Sequence, residues 1–188
     1  MLKAIRIILL GVLLLFLCLC KAVWINTSKD NDSSVATSVG QLMLTTADVT
    51  GWQQAGQPFA IFSAATLNQA LDGGDIPYIQ NGGLIAVGIQ EMTGSGGKQV
   101  ELFCIDYGAE ATAFSYFQTW TVQLTVPKKI PNYNDSLAVF ESTGGGTAKV
   151  YAHFKKFYIE FRLSGFQDES DALETASLFL DIYASRIY

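Results

Sequence analysis

One histidine, three cysteines and four prolines are spread over 188 residues, and each scarcity removes a class of chemistry. A single histidine, His153, cannot assemble the ligand sets that hold zinc. Cys18 and Cys20 fall in an apolar amino-terminal run, so Cys104 stands alone in the remainder and no internal disulfide can form there. Cys104 lies in a strand-like stretch and reads as a small buried hydrophobe rather than a reactive thiol. Basic excess is also missing. Beyond residue 22 there are nine lysines and arginines against seventeen acids, a balance of −8. An acidic chain without a basic stripe lacks the footprint that phosphate backbones and anionic membranes require, so no nucleic-acid partner is expected. No Gly-x-Ser-x-Gly elbow accompanies His153. Gly94-Ser95-Gly96-Gly97-Lys98 has the wrong spacing for a phosphate loop, and a strand pattern rather than a helix follows it. No cofactor is implied.

What the sequence does carry begins with its leader. Lys3 and Arg6 precede an unbroken apolar run from Ile7 to Cys20, the order of an export signal. Cys20-Lys21-Ala22 offers a small-x-small cleavage site. The alternative is a retained anchor over residues 7–25, with Lys21 snorkelling from a span otherwise near the length a bilayer needs. Leu17 and Leu19 stand where lipidation of Cys18 or Cys20 would want a small residue. Residues 1–22 are thus a signal peptide or membrane anchor, residues 23–41 a flexible linker of Asn, Thr, Ser and Asp, and residues 42–188 a single exported domain. Its place is the periplasm, cell envelope or extracellular space.

Within that domain, periodicity predicts a short helix over 63–71 with Ser63 as its cap. Strands follow over 84–92 and 100–107, separated by glycine-rich hairpin punctuation. Ala113, Phe114, Phe117 and Trp120 recur at spacings of three and four, the aromatic face of an amphipathic helix over 109–120. A strand is expected at 137–142. A hairpin turning at Lys155-Lys156 then pairs Phe154 with Phe157, Ala152 with Ile159 and Val150 with Phe161 on an apolar face. Its other face pairs His153 with Tyr158, Tyr151 with Glu160 and Lys149 with Arg162. Residues 168–188 close the chain as a helix, with acids at its start and Arg186 at its end, as the helix dipole favours. The expectation is an α+β fold, a largely antiparallel sheet of about five strands covered by helices in the order α-β-β-α-β-β-β-α.

Two places invite a binding role. Asp72-Gly73-Gly74-Asp75, with Tyr78 just beyond, sets two carboxylates around a glycine turn, although the alternating ligands of a calcium loop are lacking. Tyr151, His153 and Tyr158 occupy the polar face of the hairpin, where amphipathic aromatics suit partner contacts. The stretch 67–114 resembles a family of exported, often lipid-anchored bacterial domains of unknown function. The resemblance is carried by Leu67, Asp72, Gly73, Gly74, Tyr78, Gly82, Asp106, Gly108, Ala113 and Phe114, with Asp75 where that family tends to have alanine. It implies export and a compact α/β domain and supplies no activity. These readings converge on a non-catalytic envelope or secreted domain that binds an envelope protein, a glycan or another extracellular ligand. The alternative is a hydrolase working through carboxylates such as Asp72, Asp75, Glu101 or Asp106.

Overall fold

The computed structural model describes residues 39–56, 59–71, 78–79 and 82–188. The leader and the Asp72–Asp75 turn lie outside these. Eight strands form one antiparallel sheet: β1 (Trp52–Gln54), β2 (Ala60–Phe62), β3 (Ala86–Gly94), β4 (Gln99–Asp106), β5 (Lys128–Lys129), β6 (Ala138–Gly144), β7 (Thr147–Phe154) and β8 (Phe157–Ser164). Among the described residues, the helices α1 (Asn68–Leu71), α2 (Glu110–Thr121) and α3 (Glu169–Ile187) accompany them, besides a helical turn at 39–42. Across the sheet the order is β1-β3-β4-β8-β7-β6-β5, with β2 also on the outer edge of β3. The last strand therefore enters between β4 and β7, and chain segments about sixty residues apart become neighbours, as in the pair Phe103 and Glu160.

The α+β class stands, but the expected five strands are corrected to eight, and the element order gains β1, β2 and β5. Strands of two or three residues span too little for an alternation to show, and each exists because a longer neighbour offers a free edge. The first helix is also shorter than expected. Only Asn68–Leu71 is α-helical, and the residues before it form turns in which the Leu67 N–H donates to the Ser63 carbonyl. The linker boundary shifts too: residues 39–42 are helical, and Val39 is fully buried in the core. Gly88 makes room for this segment, because a Cβ there would come within 2.7 Å of Val39.

The β7–β8 hairpin has the register that its alternating pattern dictates, from Phe154 opposite Phe157 to Lys149 opposite Arg162. Lys155 takes a left-handed φ of 51° at the turn, a conformation that glycine or asparagine usually supplies. One face of the sheet carries Leu102, Cys104, Val150, Ile159 and Phe161, all fully buried, and α3 lies over it through Ala176, Phe179, Leu180 and Tyr183. Phe179 meets Trp52 edge-on at 5.1 Å and Phe161 at 6.1 Å. Asp168 caps this helix by accepting from the Asp171 N–H, and Arg186 donates to the carbonyls of Gln41, Leu42 and Met43, tying its far end to the helical turn at 39–42. α2 covers the opposite face.

Candidate functional site

Period-two alternation sends every second residue of β4, β7 and β8 toward α2, and the result is unusually rich in phenols. Tyr78, Tyr107, Tyr116, Tyr151 and Tyr158 all pack here, five of the chain's eight tyrosines. Tyr116 of α2 sits edge-on to Tyr158 at 4.7 Å and tilted against Tyr107 at 5.1 Å. In their midst lies Glu160, a buried carboxylate. One of its oxygens accepts from Arg162 Nε at 2.8 Å, and the other lies 3.3 Å from the Tyr78 hydroxyl and 3.5 Å from that of Tyr158. Arg162 also donates to the Tyr78 hydroxyl at 3.0 Å and to Glu101 at 3.3 Å, while its guanidinium stacks on Phe103 at 4.4 Å. A second tie, from the Tyr107 hydroxyl to the Tyr78 carbonyl at 3.0 Å, fixes Tyr78 in the cluster.

Burial opposes the charge on Arg162, but Glu160 and then Glu101 outweigh it and hold the guanidinium well above its ordinary value. Burial, reinforced by the Glu160 charge, pushes the phenols of Tyr78, Tyr151 and Tyr158 far up, so they stay neutral donors. The cluster is therefore one compensated ion pair lined by neutral hydroxyls. Where α2 ends, the same face continues as a row of charge across five strands: Glu91, Glu101, Arg162, Lys149 and Glu141 are successive cross-strand neighbours.

Of the residues expected to form a binding patch, Tyr78, Tyr151, His153 and Tyr158 do come together, but not at the surface. All four are buried. The expectation that the polar face of the hairpin stays open is thereby corrected. α2 lies on it, and the tyrosines and histidine are polar residues packed into a helix–sheet interface. His153 packs against the neighbouring rings of Phe114 and Phe117 at 4.9 and 5.2 Å, and its Nε2 lies 2.8 Å from the Ser136 carbonyl oxygen. A carbonyl only accepts, so Nε2 carries the proton, which leaves Nδ1 a buried lone pair without a partner. Burial lowers the His153 pKa below its ordinary value, against the opposing pull of the Ser136 carbonyl and Glu110. Asp72 and Asp75 fall outside the described residues.

The remaining acids do not pair for catalysis. Glu101 and Asp106 are five residues apart on β4 and so project from opposite faces. Asp106 is fully buried, ion-paired with Lys156 at 2.6 Å and bonded to the Gly108 N–H at 2.8 Å. Cys104 faces α3, and its thiol is driven up by burial and then by the Asp106 charge. Sequence reading missed Glu160, Arg162, Tyr107 and Tyr116 as members of the cluster. The signal was present in the pairing of Tyr151 with Glu160 on one face of the hairpin, together with a separate helix pattern over 109–120 whose aromatic face needed something to cover.

The surface beside this interface is concave. An open groove of about 650 Å³ runs between the carboxyl half of α2 and the β5–β6 edge, lined by Ser115, Gln118, Val122, Lys128, Lys129 and Asp135 among others. Val122 is 80% exposed and Val126, next to the lining Pro127, 64%. Among the described residues no helix is long and apolar enough to cross a membrane.

No family model matches the chain, and no curated protein matches it. Among solved structures, the crystal structure of the extracellular domain of PknH from Mycobacterium tuberculosis is similar to it, with a TM-score of 0.46 and 14% sequence identity over 83% of this chain and 92% of that one.

Proposed function

We propose that the chain is an exported, non-catalytic domain of the cell envelope or extracellular space that binds a partner protein, a glycan or a small ligand at its surface. The observation that carries this reading is the engagement of its reactive groups: His153 is wedged under α2, Asp106 is paired with Lys156, and Glu160 is paired with Arg162. Groups held this way stabilise a scaffold and leave recognition to the surface. The charged-then-apolar leader supports export, and the resemblance over residues 67–114 points the same way. The groove beside α2 is the recognition surface this reading favours. It combines the exposed Val122 with lysines and hydroxyls, a mixture that suits a partner better than it suits catalysis.

The test is site-specific photocrosslinking of the full-length chain in its own cells. A probe at Val122 is expected to give a discrete adduct, and one at Leu178, exposed on α3, is expected to give none. Protease added to intact cells, or to cells with a permeabilised outer layer, should digest the domain. Equal crosslinking at both positions would remove the groove from the proposal, and a protease-protected domain would remove export.

A further inference from the structure

His153 is the one side chain in the α2 interface whose charge changes near neutral pH, and it is placed where added charge has nowhere to go. Its ring is held from one side by Phe114 and Phe117 and anchored at Nε2 by Ser136. Nδ1 is buried and faces no acceptor. A proton from solvent can add only at Nδ1, because Nε2 already donates, and the product is an imidazolium N–H with no partner inside a packed interface.

We propose that His153 is an acid-operated latch, whose protonation at Nδ1 frees α2 from the sheet and uncovers the tyrosine-lined face while α3 stays seated.

The surroundings decide the direction. The titratable groups on the elements packed around His153 are Glu110 and Tyr116 on α2, the exposed Asp135 beside Ser136, Tyr158 opposite it on β8 with Glu160 two residues on, and Tyr151 on β7, while at the hairpin turn Lys155 bonds to the Ile187 carbonyl and Lys156 pairs with Asp106. Glu110 favours the charged ring, but it is exposed at the first turn of the helix. Glu160 is committed to Arg162 and Lys156 to Asp106. Two flanking phenyl rings attract a cation through their faces, but at 52–53° to the imidazole they are tilted, and they offer no acceptor for the new N–H. Local release is favoured over global unfolding because α2 buries only Ala113, Tyr116 and Phe117 and has no side-chain cap, whereas α3 is capped and buries six residues.

Hydrogen exchange followed by mass spectrometry on the full-length chain in detergent tests this, with protection factors corrected for intrinsic exchange. Between pH 7 and pH 5 protection across residues 110–121 should fall about tenfold for each unit by which the histidine is depressed, while residues 169–187 keep theirs. His153→Phe, which fills the wedge without titrating, should abolish the fall. Independently of any variant, the single histidine gives one unambiguous imidazole Cε1–H signal by NMR, expected to titrate below the ordinary 6.5. Unchanged α2 protection, joint loss in α2 and α3, an unaltered fall in His153→Phe or a titration at or above 6.5 would each overturn the latch.

Discussion

The two faces of one sheet are closed by different means. Under α3 the contacts are aliphatic and aromatic, the helix is nineteen residues long, and both its ends are tied, by Asp168 at the start and by Arg186 near the finish. Under α2 the helix is twelve residues long, its first turn has no side-chain cap, and what it packs against includes a carboxylate, an arginine, an imidazole and four phenols. Both faces leave bare polar atoms: Ser177 and Tyr183 on α3, Tyr116 and His153 on the other side. The difference is that the first pair are neutral hydroxyls at every physiological pH, whereas one of the second pair is an imidazole. A fold can thus take its stability from one face and its responsiveness from the other, because apolar burial is insensitive to protons and polar burial is not.

Truncation at the α3 face should break this arrangement most severely. Phe179→Ala removes a fully buried ring that touches Trp52 and Phe161, and it should cost about 3–5 kcal/mol in urea denaturation. The counterpart Phe114→Ala, half-buried over His153, should cost only about 1–2 kcal/mol. Equal losses would mean that the two helices contribute alike. Next comes the polar centre. Glu160→Gln keeps the shape but leaves Arg162 facing a neutral amide, with an expected loss of about 1–3 kcal/mol, moderated because Arg162 can reach water. No measurable loss would show the ion pair to be replaceable at no cost.

How much of this was written in the chain divides along the same line. The α3 face was readable. Phe154, Ala152 and Val150 alternate into Phe157, Ile159 and Phe161 with one register that buries them all, and Ala176, Phe179, Leu180 and Tyr183 supply the matching stripe. The α2 face was misread as exposed because Tyr151, His153, Tyr158 and Glu160 are polar, and polarity alone does not reveal that a helix will supply their partners. Their companions come from far away in sequence: Tyr78 is 82 residues from Glu160. No local pattern encodes such a contact. β5 was invisible for a related reason, since two exposed lysines become a strand only when Val139 and Phe140 present an edge.

Acid should separate the two faces by pH. His153 has a folded-state pKa below 6.5, so its contribution is complete above 6.5 and is lost as pH falls from there through the folded value. Asp171 is held below 3.8 chiefly by its bond to Lys98. For Asp48 burial pulls upward, but the Thr45 N–H and Arg186 win and lower it. Both carboxylates therefore support the α3 side until pH drops below about 3.8, where that support begins to fade. Thermal melts of the intact chain should show a first decline below pH 6.5, worth up to about 1.4 kcal/mol per unit of histidine depression, and a second below pH 4. A single decline confined to the carboxylate range would erase the distinction.

The smallest effect belongs to the turn that joins the faces. Lys155 adopts a left-handed conformation that costs an L-residue with a long side chain roughly 1 kcal/mol, and asparagine tolerates it better. Lys155 also reaches the last turn of α3, donating to the Ile187 carbonyl at 2.7 Å and lying 4.8 Å from the Tyr188 ring centre. Those contacts are exposed, so they return only part of the backbone cost. Lys155→Asn should therefore raise stability by about 0.5 kcal/mol in urea denaturation while lowering exchange protection only at residues 186–188. A net loss would mean that the carbonyl bond outweighs the strain, and that the hairpin keeps lysine to anchor α3 rather than despite its geometry.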